Sequence, residues 1–198
     1  MSDCVGGLVN DARGDRTILL DVDGILADFI RGTCKLYGWD HAALMADWPR
    51  DDPWDYYKRY RMTMGDFYGG IERAGAAFWE WLEQYPHARR FYDFCRGQCP
   101  TTFCTTPSPC PEGLAGKYRW LRRFTDRREL RDVVFTFDKA MLARPGVLLV
   151  DDSDANVARY RAAGGDAVLW PALWNARHAE SDKAERIVRE EIKVWVSK

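Results

Sequence analysis

The stretch Ile18-Leu19-Leu20-Asp21-Val22-Asp23-Gly24 constrains the fold more than any other part of the chain. An apolar run ends in two acids one residue apart. A glycine follows, and then a new apolar segment from Ile25 to Phe29. A short, branched-rich run bounded by a turn residue reads as a buried strand. Asp21 and Asp23 then emerge at its carboxyl end, where open α/β sheets bind their ligands. Two carboxylates held that close repel each other and recruit a cation.

Beyond this strand the chain changes character. Residues 29–94 carry 17 of the 27 aromatic residues in one third of the length. Such a segment reads as a small helical subdomain that needs large side chains for its own core, with two or three rings left to stack on a planar ligand. Within it, Pro49-Arg50-Asp51-Asp52-Pro53, Gly65 and Gly69-Gly70 mark loops. The spacing predicts a helix over 74–84 with Phe78, Trp81 and Leu82 on one face, and another over 87–96 stopped by Gly97.

Strands and helices then alternate. Residues 101–106 read as a second strand closed by Pro107-Ser108-Pro109, and residues 133–137 as a third, followed by Asp138-Lys139. Residues 146–150 read as a fourth strand running into Asp151-Asp152, and residues 167–170 as a fifth. Between them lie helices over 112–124, with Tyr118, Leu121 and Phe124 inward, and over 154–163, with Asp154 as N-cap. A last helix from about Ser181 turns Ala184, Ile187, Val188, Ile192 and Trp195 inward. Arg119, Arg122, Arg123, Arg127, Arg128 and Arg131 read as a solvated helix face. This alternation argues for an α/β fold, a parallel sheet with helices on both faces.

A length of 198 residues suits one such domain with a sizeable insertion, and 46% hydrophobic residues suffice for its core. The expected division is a loose leader over 1–16, a core domain over 17–30 and 95–198, and a helical cap over 31–94. The net charge of −1 gives no reason to expect nucleic acid or an anionic membrane as partner. No apolar run approaches the roughly 20 residues of a membrane span, and the first residues lack a signal peptide's apolar core. A cytoplasmic location is the default expectation. Cys95, Cys99, Cys104 and Cys110 match no common zinc spacing, so reduced thiols are expected there.

Four strands in succession deliver a polar group just past their carboxyl ends: Asp21 and Asp23, then Thr105 and Thr106, then Lys139, then Asp151 and Asp152. In a parallel sheet these ends share one edge. Phosphoryl transfer uses such a set. One carboxylate attacks phosphorus and a second moves the proton. Mg²⁺ takes carboxylate and phosphate oxygens, while a hydroxyl and an ammonium stabilise the transferring group.

In this order the motifs resemble those of the haloacid dehalogenase superfamily, over nearly the whole chain. The resemblance implies a Rossmann-like fold with a helical cap inserted after the first strand. It implies Asp21 as nucleophile and Asp23 as general acid/base, whose backbone carbonyl also touches Mg²⁺. Thr105 and Lys139 would bind the phosphoryl group, and Asp151 or Asp152 would complete the metal site. A closer resemblance is to the 5'(3')-deoxyribonucleotidases, carried by Asp21 to Phe29, Cys104-Thr105-Thr106-Pro107, Lys117-Tyr118-Arg119-Trp120 and Asp138-Lys139. It places Phe29 in a nucleoside pocket. Relatives often carry a lysine shortly after the second motif, where this chain has Pro109 and Cys110.

The expectation is therefore a Mg²⁺-dependent phosphatase acting on (deoxy)nucleoside monophosphates, with Thr106 as a further phosphate-side residue. Its partner is a small-molecule nucleotide, with a homodimer left open. Two alternatives stand beside it. One is a phosphatase for another small ester or a polynucleotide 3'-phosphate; the other is a non-catalytic binding protein on the same fold.

Overall fold

The computed structural model describes residues 16–127 and 130–198. The expected leader therefore lies outside the described residues except for Arg16, whose guanidinium sits 5.1 Å from the Trp195 ring centroid. Cys4 and Arg128 lie outside them too.

Five strands form one parallel sheet in the order β3-β2-β1-β4-β5: β1 Thr17–Leu20, β2 Thr101–Thr105, β3 Val133–Phe135, β4 Val147–Asp151 and β5 Asp166–Leu169. Ile18 pairs with Thr101 on one side and Leu148 on the other, so β1 is central. The chain winds outward through β2 and β3, then returns to the far side of β1 for β4. Between β1 and β4 the direction of winding reverses, and open α/β sheets leave a crevice there. Alternation divides the strands between two cores. Ile18, Leu20, Phe103, Leu148 and Val150 join the larger core, while Leu19, Cys104, Val147 and Leu149 pack with Val157 and Tyr160 on the other face.

Seven α-helices complete the described fold: α1 Phe29–Tyr37, α2 His41–Ala46, α3 Met64–Glu80, α4 Ala88–Gln98, α5 Pro111–Thr125, α6 Asp154–Ala162 and α7 Ala184–Val196. The first three lie between β1 and β2 with a 3-10 helix over Tyr56–Tyr60, and α1 and that 3-10 helix pack around Phe67 of α3, on which Tyr57 stacks at 4.7 Å. Asp28, Asp40 and Thr63 cap α1, α2 and α3 by accepting backbone N–H bonds, which meets donors the first turn leaves open. The chain enters and leaves this insertion side by side: Asp28 N donates to Glu83 O at 2.8 Å, and Tyr85 N to Leu26 O at 2.9 Å.

Several local expectations are corrected. Gly65, Gly69 and Gly70 are not loops but lie inside α3. A side chain at Gly70 would come within 2.1 Å of the Tyr37 hydroxyl, so this glycine serves the packing of α3 on α1. The helix breaks instead at Gly75, with φ 63° and ψ −149°, a region almost confined to glycine. Trp81 follows the end of α3 and is 68% exposed rather than inward, with the Arg123 guanidinium 4.5 Å from its ring centroid. Gly97 does not stop α4, which runs to Gln98. Ser153, not Asp154, caps α6, accepting from Asn156 N at 3.3 Å. The Asp154 carboxylate accepts from Ala176 N instead. Among the described residues no helix is long and apolar enough to cross a membrane.

Candidate active site

The turn after β1 is built for close approach. Gly24 adopts φ +79°, and a Cβ there would lie 2.0 Å from Asp152 Oδ2. Only glycine lets the β1 turn and the β4 end come together. The turn is closed by Gly24 N donating to Ala27 O at 3.0 Å, and His87 Nε2 donates to Ile25 O at 2.9 Å from α4's N-terminal side.

At the crevice, Asp21, Asp151 and Asp152 each present a carboxylate oxygen within 4.8 Å of the others. All three are buried. Lys139, 2% exposed, enters from the turn after β3 and places Nζ 2.8 Å from Asp21 Oδ1 and 2.6 Å from Asp151 Oδ2. Asp151 also accepts from Ser153 N and from the Asn156 side-chain amide, so both its oxygens are held. Asp152 uses Oδ2 to accept from Trp174 Nε1 at 2.7 Å. Burial raises the Asp21 carboxyl to about 7, against the opposing pull of Lys139. Burial raises Asp152 as well, far above the carboxylate range, with the charges of Asp21 and Asp151 adding to it. One ammonium cannot balance three ionised carboxylates, so Asp21 and Asp152 hold protons more tightly unless a further cation is bound. A hard divalent cation with oxygen preference, such as Mg²⁺, fits this donor set.

Asp23 points to other partners. Its Oδ2 accepts from Lys117 Nζ and lies 3.5 Å from Thr105 Oγ1. Its Oδ1 is buried without a hydrogen-bond partner. Lys117 Nζ also donates to Thr105 Oγ1 at 3.2 Å and to Thr106 O at 2.8 Å, and rests 4.4 Å from the Trp79 ring centroid. Thus Thr105 is wholly buried behind Asp23, while Thr106, exposed, lines the open space above.

That space is a cavity of about 510 Å³, within the usual range for small-molecule sites. Asp21, Asp23 and Asp152 form its floor, and Lys117 and Asn156 its polar sides. Its upper walls are aromatic: Phe29, Trp54, Tyr68, Trp79, Phe137 and Trp174. Phe29 stacks on Trp79 at 5.6 Å and meets Phe78 edge-on at 5.7 Å. The break at Gly75 separates the two halves of α3, and Trp79 lies on the second half.

All eight residues singled out in the sequence meet here. Lys117, quoted only within a motif of the resemblance, was given no role there, and Asn156 and Trp174 escaped. Lys117 has a legible signal: a lysine on the buried stripe Gly113, Lys117, Trp120, Leu121, Phe124 of a predicted helix is anomalous unless paired. Asn156 and Trp174 have none, because their roles arise from the fold bringing α6 and the loop after β5 onto Asp151 and Asp152. The arginines of α5 form a solvated face, with Arg119 on Glu80, and Arg127, just past the helix, pairs with Asp132. Among the described residues, the carboxylate trio is the one group of potential ligands close enough to share a metal, and the cysteines after Phe94 supply no second one.

The chain matches no protein-family model and no curated protein. It is similar in structure to a haloacid dehalogenase-like family hydrolase of Streptococcus pneumoniae, with TM-score 0.53 and 11% identity over 85% of this chain and 90% of that one. It is also similar to a haloacid dehalogenase-like hydrolase of Burkholderia xenovorans, with TM-score 0.51 and 16% identity over 82% and 84%. A dehalogenase matches with TM-score 0.50 and 14% identity over 85% and 89%. The chain therefore has the Rossmann-like α/β fold of the haloacid dehalogenase-like hydrolases.

Proposed function

We propose that the protein is a Mg²⁺-dependent phosphatase that hydrolyses nucleoside monophosphates through an aspartyl-phosphate on Asp21. The observation that carries this reading is the cavity, which opens on Asp21 and Asp23 below and is walled by aromatic rings above. Phosphoryl chemistry needs the floor, and a planar base suits the walls.

Asp21 Oδ1 is held by Lys139, which leaves Oδ2 to attack phosphorus in line with the departing ester oxygen. Asp23 gives its proton to that oxygen as the P–O bond breaks, and the nucleoside leaves. It then takes a proton from water, whose oxygen attacks the acyl phosphate, releasing inorganic phosphate and the Asp21 carboxylate. Lys117 fixes the Asp23 carboxylate through Oδ2, leaving Oδ1 for the proton. Asp21 and Asp152, with the Asp23 backbone carbonyl, would hold Mg²⁺, which would supply positive charge for the phosphoryl oxygens. Asp152 is the direct ligand because only one of its oxygens is engaged, whereas Asp151 is held on both and anchors Lys139. Asp21 and Asp23 intact at the cavity floor favour turnover over the non-catalytic alternative.

The test is phosphate release from ribo- and deoxynucleoside monophosphates and from sugar phosphates, with Mg²⁺ or chelator, for wild type and Asp21→Asn. Release from nucleotides that needs both Mg²⁺ and Asp21 is expected. Equal release by Asp21→Asn rejects the nucleophile, and equal preference for sugar phosphates rejects the substrate class.

A further inference from the structure

The aromatic walls of the cavity grip a flat ring without choosing among bases, because every base has a π-face. Choice requires a polar group on the wall that has no partner until the ligand arrives. Glu72 is such a group. It lies on α3 beside Ile71 and four residues after Tyr68, so the three share one helix face, and all three line the cavity. The other acids of α3 and of the turn after it are engaged: Asp66 accepts from Thr63, Glu80 pairs with Arg119, and Glu83 pairs with Lys35. Glu72 has no hydrogen-bond or ion-pair partner among the described residues.

A carboxylate only accepts hydrogen bonds, so its ligand must donate. We propose that Glu72 selects the base and that the preferred base is guanine, an inference that rests on the nucleotide phosphatase reading. The guanine pairing edge offers N1–H and the N2 amino group side by side, which matches two carboxylate oxygens. Adenine and cytosine set an acceptor nitrogen beside their amino group, and uracil and thymine flank N3–H with two carbonyls; each presents a lone pair to the carboxylate. Orientation follows from charge. Lys117 and Lys139 draw the phosphate to the strand ends, and Glu72 repels it, so the base is left on the α3 side.

The experiment compares kcat/KM for dGMP, dAMP, dCMP and dTMP in wild type and in Glu72→Gln, in which one acceptor becomes a donor that suits adenine. The dGMP to dAMP ratio is expected to exceed one in wild type and to fall about tenfold or more in the variant. As a second readout, the dGMP dissociation constant of Asp21→Asn, followed by tryptophan fluorescence, rises about tenfold when Glu72→Gln is added. Glu72 is exposed, so the variant keeps its fold, which circular dichroism checks. Nucleotide hydrolysis with a base ranking that Glu72→Gln leaves unchanged overturns this inference alone. Hydrolysis of sugar phosphates with no nucleotide turnover overturns the nucleotide reading and this inference together.

Discussion

Replacing Asp21 with asparagine is expected to stabilise the metal-free protein, and to do so more strongly as pH rises. Burial raises the Asp21 carboxyl from 3.8 to about 7 even after the attraction of Lys139 is counted. An acid raised in this way binds its proton more tightly in the native state. It therefore favours folding at low pH and works against the folded state as pH climbs from 3.8 towards 7. At about 1.36 kcal/mol per pKa unit, the ionised carboxylate costs the folded state less than about 2 kcal/mol at pH 5 and about 4 kcal/mol at pH 8. The asparagine side chain carries no charge and escapes both costs. The gap in stability between the two proteins should thus widen by about 2–3 kcal/mol across that range, or roughly 5–10 °C in Tm for a chain of this size. Thermal unfolding in chelator at a series of pH values measures it. Saturating Mg²⁺ should narrow the gap, because the ion binds the charged native site and stabilises wild type by mass action. A variant less stable than wild type at pH 8 in chelator, or a gap that shrinks as pH rises, refutes the account of a buried, undercompensated carboxylate cluster.

Three further substitutions probe the supports of the site. Trp174→Phe removes the donor to Asp152 Oδ2 and is expected to weaken Mg²⁺ binding about 10–100-fold, read by titration calorimetry. Lys117→Met keeps length but removes the ammonium from Asp23 and Thr105; kcat should fall about 100-fold or more with a smaller change in KM, measured by steady-state phosphate release. Gly75→Ala forces an alanine into φ 63°, ψ −149° and should cost about 1–3 kcal/mol in denaturant unfolding. Because Trp79 follows that break, the same variant should also raise KM for nucleotides.

The sheet was legible because buried parallel strands announce themselves as short apolar runs, and their polar followers mark the ligand edge. The order Asp21, Thr105, Lys139, Asp151 needed only the rule that these ends share one side. The insertion was less legible. Gly65, Gly69 and Gly70 look like breakers locally, yet the cost of about 1 kcal/mol for a helical glycine is outweighed where it admits a close neighbour, as Gly70 admits Tyr37. Of four glycines in that region, the one with positive φ, Gly75, was the real break, and composition cannot tell them apart. Lys117 is anomalous on its helix face, but the sequence does not show what it pairs with. It reaches Asp23 across 94 residues of sequence, so its role exists only once the fold sets α5 beside the ends of β1 and β2.

The paired junction at Leu26–Asp28 and Glu83–Tyr85 carries a consequence for how such a protein diversifies. Because the two chain crossings are hydrogen-bonded to each other, the spacing of roughly 5 Å between paired backbones is nearly all that separates one end of the insertion from the other. Loops between them that do not pack on α5 can change in length while the strand ends keep their register. The cavity-lining residues Glu72, Trp54 and Tyr68 sit on that insertion, whereas Asp21, Lys139 and Asp151 do not. On the proposed function, the cavity wall can thereby change while the carboxylates and Lys139 at the strand ends stay in place.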